Sequence, residues 1–412
     1  MQVELVTIGN ELLLGFTVDT NAAEIARTLS RLGIEVVRRT AVPDRSEDIA
    51  TAVADALRRT GAVLTTGGLG PTRDDVSKKA IADLYGVPLD FDDAVWSDIV
   101  ARFARVQRAP AASNRGQAEV PHGATVLRNQ WGTAPGLWLE GPLGLTVMLP
   151  GVPSEMRKLL EFEVLPRLAA QATGVVVRSL LVRTTSIPES MLAERMGEIE
   201  GEIAPLTLAY LPGVEGVDLR VTAWGMEPAE ADRRLRSAAD LVRQRAGEHV
   251  YAEEDTDLAA VVLERARRAG LSLGTAESCT GGLVGGRITN VPGSSDAFVG
   301  GVVCYSDRLK TELLGVSPEL IAEHGAVSEA VARAMAEGAR ARLRVDMAVS
   351  VTGIAGPSGG TREKPVGTVW FAVASPGETE ARRIIFHGSR NEIRERAAQM
   401  ALFLLNRRLL AD

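Results

Sequence analysis

Along the first 85 residues the apolar positions change period in alternation. Val3-Glu4-Leu5-Val6-Thr7-Ile8-Gly9 is a short, nearly continuous apolar run and predicts a strand. The stretch TNAAEIARTLSRLG (20–33) spaces its apolar residues at helical intervals and closes on a glycine, which predicts a helix. EVVRRTAVP (35–43) predicts a second strand, and SEDIATAVADALRRTG (46–61) a second helix with Ser46 as N-cap and an acidic first turn. AVLTTGGLGPT (62–72) predicts a third strand running into a glycine-rich loop. This order builds a parallel sheet covered by helices, with binding loops at the carboxyl ends of the strands. From 90 to 170 the pattern is less regular; LTVMLPGVPSEM predicts a strand, a Pro/Gly turn and a helix from near Ser154, and closure is expected near 171–174.

Residues 175–250 differ in character: VVVRSLLVRTT, LTLAYLP and GVDLRVTAWG predict strands, PESMLAERMGEI and PAEADRRLRSAADLVRQRAG helices. A β-α-β-β-α module of this size resembles a KH-type unit. Its loop Leu211-Pro212-Gly213-Val214-Glu215-Gly216 carries an acid where an RNA clamp needs basic or neutral residues, so it reads as a spacer or dimerisation module. The acidic stretch Glu253-Glu254-Asp255 reads as a linker. A second α/β domain follows, with LSLGTAES, FVGGVVCYS, VDMAVSVTG, GTVWFAVAS and ARRIIFHGS as strands. The expected domains are 1–172, 173–252 and 253–412, in an α/β fold class with a small α+β module in the middle.

Length and composition narrow the function. A chain of 412 residues with 45% hydrophobic and 24% charged side chains is that of a folded globular protein. A net charge of −7 argues against a general nucleic-acid or anionic-membrane binder. Two cysteines, Cys279 and Cys304, are too few for a zinc ribbon or a disulfide framework and fit a reducing compartment. No apolar run approaches the 18 or so residues of a membrane helix, and no secretory leader pattern opens the chain, so a cytoplasmic location is expected. Only five of the 46 basic residues are lysines (Lys78, Lys79, Lys158, Lys310, Lys364), which makes each of them worth tracing.

Four constellations carry candidate chemistry. In Thr65-Thr66-Gly67-Gly68-Leu69-Gly70-Pro71-Thr72-Arg73-Asp74-Asp75, the glycines Gly67, Gly68 and Gly70 let backbone N–H groups approach an anion, and the acids suit a divalent cation bridging phosphate oxygens. A tight turn with acidic capping residues has the same pattern; Glu11 and Asp44, after the first two strands, should reach the same sheet edge and favour a site. In Ala276-Glu277-Ser278-Cys279-Thr280-Gly281-Gly282, Ser278 or Thr280 either caps the next helix or belongs to a serine nucleophile loop, with N–H groups around Thr280, Gly281 and Gly282 holding an oxyanion. Cys279 is the rival nucleophile. In the segment Gly300–Lys310, Lys310 is either a solvated helix side chain or a desolvated base, with Tyr305 beside it. The loop after Thr352-Gly353 offers donors for a phosphate or ribose, and Arg390 a guanidinium for a phosphate. The four histidines show no metal-ligand spacing.

Taken together, Ile8-Gly9-Asn10-Glu11-Leu12-Leu13-Leu14-Gly15, Thr66 to Asp75, Gly132-Thr133-Ala134-Pro135-Gly136, Leu149 to Met156, Ala276 to Gly282, His324-Gly325-Ala326-Val327-Ser328 and Thr352-Gly353-Ile354-Ala355-Gly356-Pro357 resemble the CinA family, the competence/damage-inducible protein A group, over essentially the whole chain. That resemblance implies a MoaB-like, molybdopterin-binding fold in the first domain. It also implies metal-dependent hydrolysis of ADP-ribose to AMP and ribose 5-phosphate there, with Asp44 and Asp74 as catalytic carry-over and Asp44, Asp74, Asp75 and Glu11 as ligands of a divalent metal ion. Asn10 stands where many relatives carry aspartate. For the last domain it implies a nicotinamide-nucleotide amidohydrolase that converts NMN to nicotinate mononucleotide and ammonia without a cofactor, with Ser278 as nucleophile, Lys310 as base and Tyr305 nearby. A homodimer of pyridine-nucleotide salvage follows from the same resemblance. The alternative is an NMN deamidase whose N-terminal half binds a pterin or nucleotide without turnover; a nucleic-acid accessory role is disfavoured by charge.

Overall fold

In the computed structural model, which describes residues 1–169 and 176–411, the first strand β1 (Gln2–Ile8) is buried from Val3 onward. Burial on both faces is what a central parallel strand requires, and explains the nearly continuous apolar run. Its one charge, Glu4, is held bidentately by Arg59 at 2.6 and 2.7 Å. β2 (Glu35–Val42) and β3 (Ala62–Thr66) flank β1 in parallel. β4 (Leu89–Phe91) and β5 (Glu119–Pro121) form a separate antiparallel ribbon. β6 (Thr125–Leu127), β7 (Gly136–Gly141) and β8 (Gly144–Leu149) complete a six-stranded sheet in the order β2-β1-β3-β8-β7-β6.

Helices Thr20–Ser30 and Ser46–Thr60 form as their apolar spacing predicts. Asp19 caps the first by accepting from Ala22 N–H at 2.9 Å. Ser46 is the first helical residue rather than the cap, which falls at Arg45 without a side-chain bond. The helix after β8 starts at Pro153, whose fixed φ and missing N–H suit that position. The expected closure at 171–174, and the boundary between 172 and 173, lie outside the described residues.

β9 (Val176–Thr184), β10 (Thr207–Pro212), β11 (Val217–Met226) and β12 (Val250–Glu253) form a four-stranded sheet in the order β10-β11-β9-β12, with the helix Pro228–Ala246 completing the β-α-β-β-α order. The remainder builds a five-stranded sheet, β14-β13-β15-β16-β17, from β13 (Leu273–Glu277), β14 (Phe298–Val303), β15 (Met347–Gly353), β16 (Thr368–Ser375) and β17 (Glu378–Ile385). β13, β14 and β15 are parallel, and β16 and β17 antiparallel. β17 starts before the predicted Ala381 because the hairpin pairs Ser375 with Glu378. Val349, Val351, Phe371 and Phe403 centre the core that this sheet shares with the helices Leu258–Ala269 and Arg390–Ala411. Val331 and Met335 of the helix Glu329–Leu343 cover the other face.

The described chain divides into two compact units, Met1–Arg178 with Ala223–Arg233 and Ser179–Thr222 with Arg234–Asp412. No helix among the described residues is long and apolar enough to cross a membrane.

Candidate functional site

Both α/β sheets begin in the order second-first-third, so the chain leaves the first strand on opposite sides. A crevice at the carboxyl edge opens at such a switch point. In the C-terminal sheet that point lies between β13 and β15, and Ser278 occupies it. Its backbone N–H donates to Val351 O at 2.9 Å, while its Oγ makes no hydrogen bond among the described residues.

Neither Ser278 nor Thr280 caps the next helix, because Glu277 does. The buried Glu277 carboxylate accepts from Gly282 N–H (3.0 Å), Val284 N–H (3.1 Å) and Gly285 N–H (2.8 Å) ahead of the helix Leu283–Thr289. Three otherwise orphaned amides and the positive end of a helix thus meet one anion. This changes the expected oxyanion hole. Gly282 N–H is committed to Glu277 and Gly281 N–H to Ser278 O at 3.1 Å, so the N–H groups of Cys279 and Thr280, which meet only the weakly accepting Cys279 sulfur among the described residues, are the ones nearest Ser278 that remain. Arg394, which the sequence reading passed over, holds the same loop from behind by donating to Cys279 O (3.2 Å) and Thr280 O (2.9 Å).

Cys279 is buried, and burial pushes its thiol up to about 12; burial also pushes Cys304 up to about 11, against the nearby charge of Lys310. A nucleophilic cysteine needs the opposite shift. Lys310 is 2% exposed, which removes its reading as a solvated side chain. It stands beside Cys304, whose N–H donates to Glu277 O at 2.8 Å, and its Nζ donates to Asp307 at 3.3 Å rather than to Ser278. Arg390 joins two of the predicted motifs, donating to Tyr305 Oη (2.9 Å) and Gly356 O (2.6 Å). Thr352 is buried with its hydroxyl committed to Ala326 O at 2.8 Å, so only its backbone remains for a ligand. A Cβ on Gly353 would stand 2.7 Å from Val369 Cγ2 and 3.1 Å from Cys279 Sγ, so only glycine lets these two loops pack together.

In the N-terminal sheet the switch point lies between β1 and β3. A Cβ on Gly67 (φ +110°) would overlap the Ile8 carbonyl, and one on Gly68 (φ +68°) the Ser77 hydroxyl, so both positions demand glycine. A Cβ on Gly70 would stand 2.5 Å from Asp75 Oδ2. Asp44 accepts from Asn10 N–H at 2.9 Å through one oxygen, and Asp75 accepts from Thr72 N–H (2.7 Å) and Oγ1 (2.5 Å). Glu11 and Asp74 are exposed, and Thr72 together with Asp74's own amide holds the Asp74 carboxyl below its ordinary value. Among the described residues no three acidic, histidine or cysteine side chains converge on one cation position. The donor set therefore fits a divalent cation shared with phosphate oxygens, which needs only one or two carboxylates, and not an all-protein cage.

Several polar residues around this loop escaped the sequence reading. Asn21 bridges Thr66 Oγ1 (3.1 Å) and Gly151 O (2.8 Å), while its own Oδ1 is buried without a partner. Buried Asn114 and Gln117 relay to Thr133 Oγ1. Lys78 is buried against Gly116 O at 2.5 Å, and burial lowers its ammonium to about 8 despite Glu119 and Asp75 nearby. None stands in a recognisable motif; only the scarcity of lysine pointed at Lys78.

The loop Gly213-Val214-Glu215-Gly216 is fastened down. Glu215 binds Arg183 at 3.1 Å and Arg287 at 3.2 Å, its carbonyl accepts from Thr185 Oγ1 at 2.7 Å, and a Cβ on Gly216 would overlap Thr184 O. Its acid is an internal tie.

Comparison with known proteins gives a consistent result. A family described as Probable molybdopterin binding domain matches residues 4–170, Damage-inducible protein CinA KH domain matches 179–252, and CinA C-terminal domain matches 255–409. The chain is 51% identical over 411 residues to a CinA-like protein of Gemmatimonas aurantiaca, covering 99% of this chain and 96% of that one. It is 44% identical over 415 residues to a CinA-like protein of Parasynechococcus marenigrum, covering 100% and 99%. Among solved structures, competence/damage inducible protein CihA of Agrobacterium tumefaciens is 42% identical, covers 36% of this chain and 91% of that one, and gives a TM-score of 0.36.

Proposed function

The chain belongs to the CinA-like family along its whole length, and from that membership and the two switch-point sites we propose that it is a bifunctional hydrolase of pyridine nucleotides. The C-terminal site deamidates NMN to nicotinate mononucleotide and ammonia. The observation that carries this reading is the placement of Ser278 between β13 and β15, its Oγ unbonded and Lys310 buried one strand away. Lys310, buried beside Cys304, takes the Ser278 proton as Oγ bonds to the carboxamide carbon. The N–H groups of Cys279 and Thr280 hold the oxyanion. Collapse breaks the C–N bond, Lys310 returns the proton to the nitrogen, and ammonia leaves. Water then attacks the acyl-serine and releases the carboxylate. Arg390, at the rim with Tyr305, meets the phosphate.

For the N-terminal site we propose cleavage of the ADP-ribose pyrophosphate bond to AMP and ribose 5-phosphate. One or two of the carboxylates Asp44, Asp74, Glu11 and Asp75, with Asp44 and Asp74 foremost, would hold a divalent cation jointly with the phosphates, and that cation would offset the phosphate charge. Gly67, Gly68 and Gly70 bring backbone donors to the pyrophosphate. The dispersed carboxylates favour one second reading: a module that binds a pterin or nucleotide without turnover. The proposed setting is a cytoplasmic homodimer.

The test is product analysis on the purified protein. NMN is expected to yield ammonia, with at least a hundredfold loss in Ser278→Ala and little loss in Cys279→Ala; the reverse pattern would sink the serine assignment. ADP-ribose with added divalent metal is expected to yield AMP, abolished by chelator and by Asp44→Asn with Asp74→Asn. Nucleotide binding without AMP release would leave the binding module.

A further inference from the structure

Arg394 stands one helical turn beyond Arg390 near the start of the helix Arg390–Ala411. A cation there opposes the positive end of the helix dipole. Arg183 and Arg287 in the same unit are each paired with carboxylates. Arg394 is part-buried, has no carboxylate partner among the described residues, and gives its hydrogen bonds to two peptide carbonyls, those of Cys279 and Thr280. Buried charges are otherwise neutralised by a partner. This one is left positive behind the loop that carries Ser278.

What it does there follows from peptide geometry. In a trans peptide the carbonyl of one residue and the N–H of the next point in opposite directions within one plane. Holding Cys279 O therefore fixes the plane of Thr280 N–H and turns that N–H away from the guanidinium. Holding Thr280 O fixes the plane of Gly281 N–H, which closes the turn onto Ser278 O at 3.1 Å. The Thr280 side chain supplies no orientation of its own, since it is fully buried and its Oγ1 has no partner. A cation on the carbonyl side also polarises each peptide, which makes its N–H a stronger donor.

We infer that Arg394 is a positioning residue for acyl transfer at Ser278: its planar fork sets Thr280 N–H as an oxyanion donor, and its unneutralised charge favours the negative transition state through the peptide. The inference rests on the serine amidohydrolase reading above. A lysine, with a point charge in place of a fork, reaches one carbonyl and not both.

The experiment compares full-length wild type, Arg394→Met and Arg394→Lys by NMN kinetics, thermal unfolding and amide hydrogen exchange. Arg394→Met is expected to lower kcat about a hundredfold or more, the scale of losing one oxyanion donor. KM should stay within a few fold and the melting temperature within a few degrees, with Arg394→Lys intermediate in kcat. Exchange at Thr280 should quicken in Arg394→Met, while Val284 and Gly285, held by Glu277, stay protected. A wild-type kcat in Arg394→Met, or a loss matched by equal damage to KM and stability, would overturn the inference. Unchanged exchange at Thr280 would overturn it even in a protein that does not turn over NMN, where quickened exchange would uphold the positioning and leave only the amidohydrolase reading refuted.

Discussion

At the scale of single residues, burial decides what each titratable group can do. The Cys279 thiol and the Lys78 ammonium both lose hydration, and the two shifts run in opposite directions because one group is charged when deprotonated and the other when protonated. Lys78 permits a stability test. The unfolded chain keeps the lysine proton to about 10.5 whereas the folded chain releases it near 8. Between those values the unfolded state binds more protons, so stability rises with pH. The displacement corresponds to about 3 kcal/mol at most, absent from Lys78→Met. Denaturant unfolding from pH 7 to 10.5 is expected to show wild type gaining on Lys78→Met as pH rises; a constant difference would mean that the ammonium is solvated. Of the residues proposed for the C-terminal site, Ser278, Tyr305 and Arg390 stand out in the sequence because each follows a strand or starts a helix in a glycine-marked motif. Arg394 does not, since an arginine in a helix among many arginines carries no local mark.

At the scale of elements, the nucleophile loop is organised by a carboxylate inside the motif. Glu277 ends β13 and its side chain turns back to take three amides at the start of the following helix. Sequence reasoning looks for a hydroxyl or acid directly at the N-cap, and here the cap position is Gly282. Glu277→Ala would leave three amides without an acceptor at a buried site, a loss of about 3 kcal/mol or more. Glu277→Gln, which keeps one good acceptor, should lose less. Thermal unfolding orders the three proteins; equal melting temperatures for wild type and Glu277→Ala would show that water replaces the carboxylate at no cost.

At the scale of the whole molecule, the KH-like sheet is tied within the second unit to the C-terminal α/β domain. Arg183 joins Glu215 and Asp218, and Arg287 joins Glu215, Asp257 and Gln399, whose amide reaches Thr185. Glu215 sits on both sides of this network, so one carboxylate fastens the loop to both. Glu215→Gln weakens two ion pairs of a half-exposed acid, so about 1 kcal/mol is expected. Calorimetry should show the transition of residues 179–222 and 234–412 move down while that of the other unit stays in place.

The sequence by itself determined the strand and helix order, the glycine positions at the strand ends and the nucleophile candidates, because periodicity and φ preference are local properties. It also carried the family, since long motifs in fixed order are read without coordinates. Only the tertiary structure decided which donors stay free. Glu277 takes Gly282 N–H, Ala326 takes the Thr352 hydroxyl, and Arg394 fixes the loop from a helix more than 110 residues away. Hydrogen-bond partners are chosen by what the fold brings within about 3 Å, and no local pattern encodes that choice.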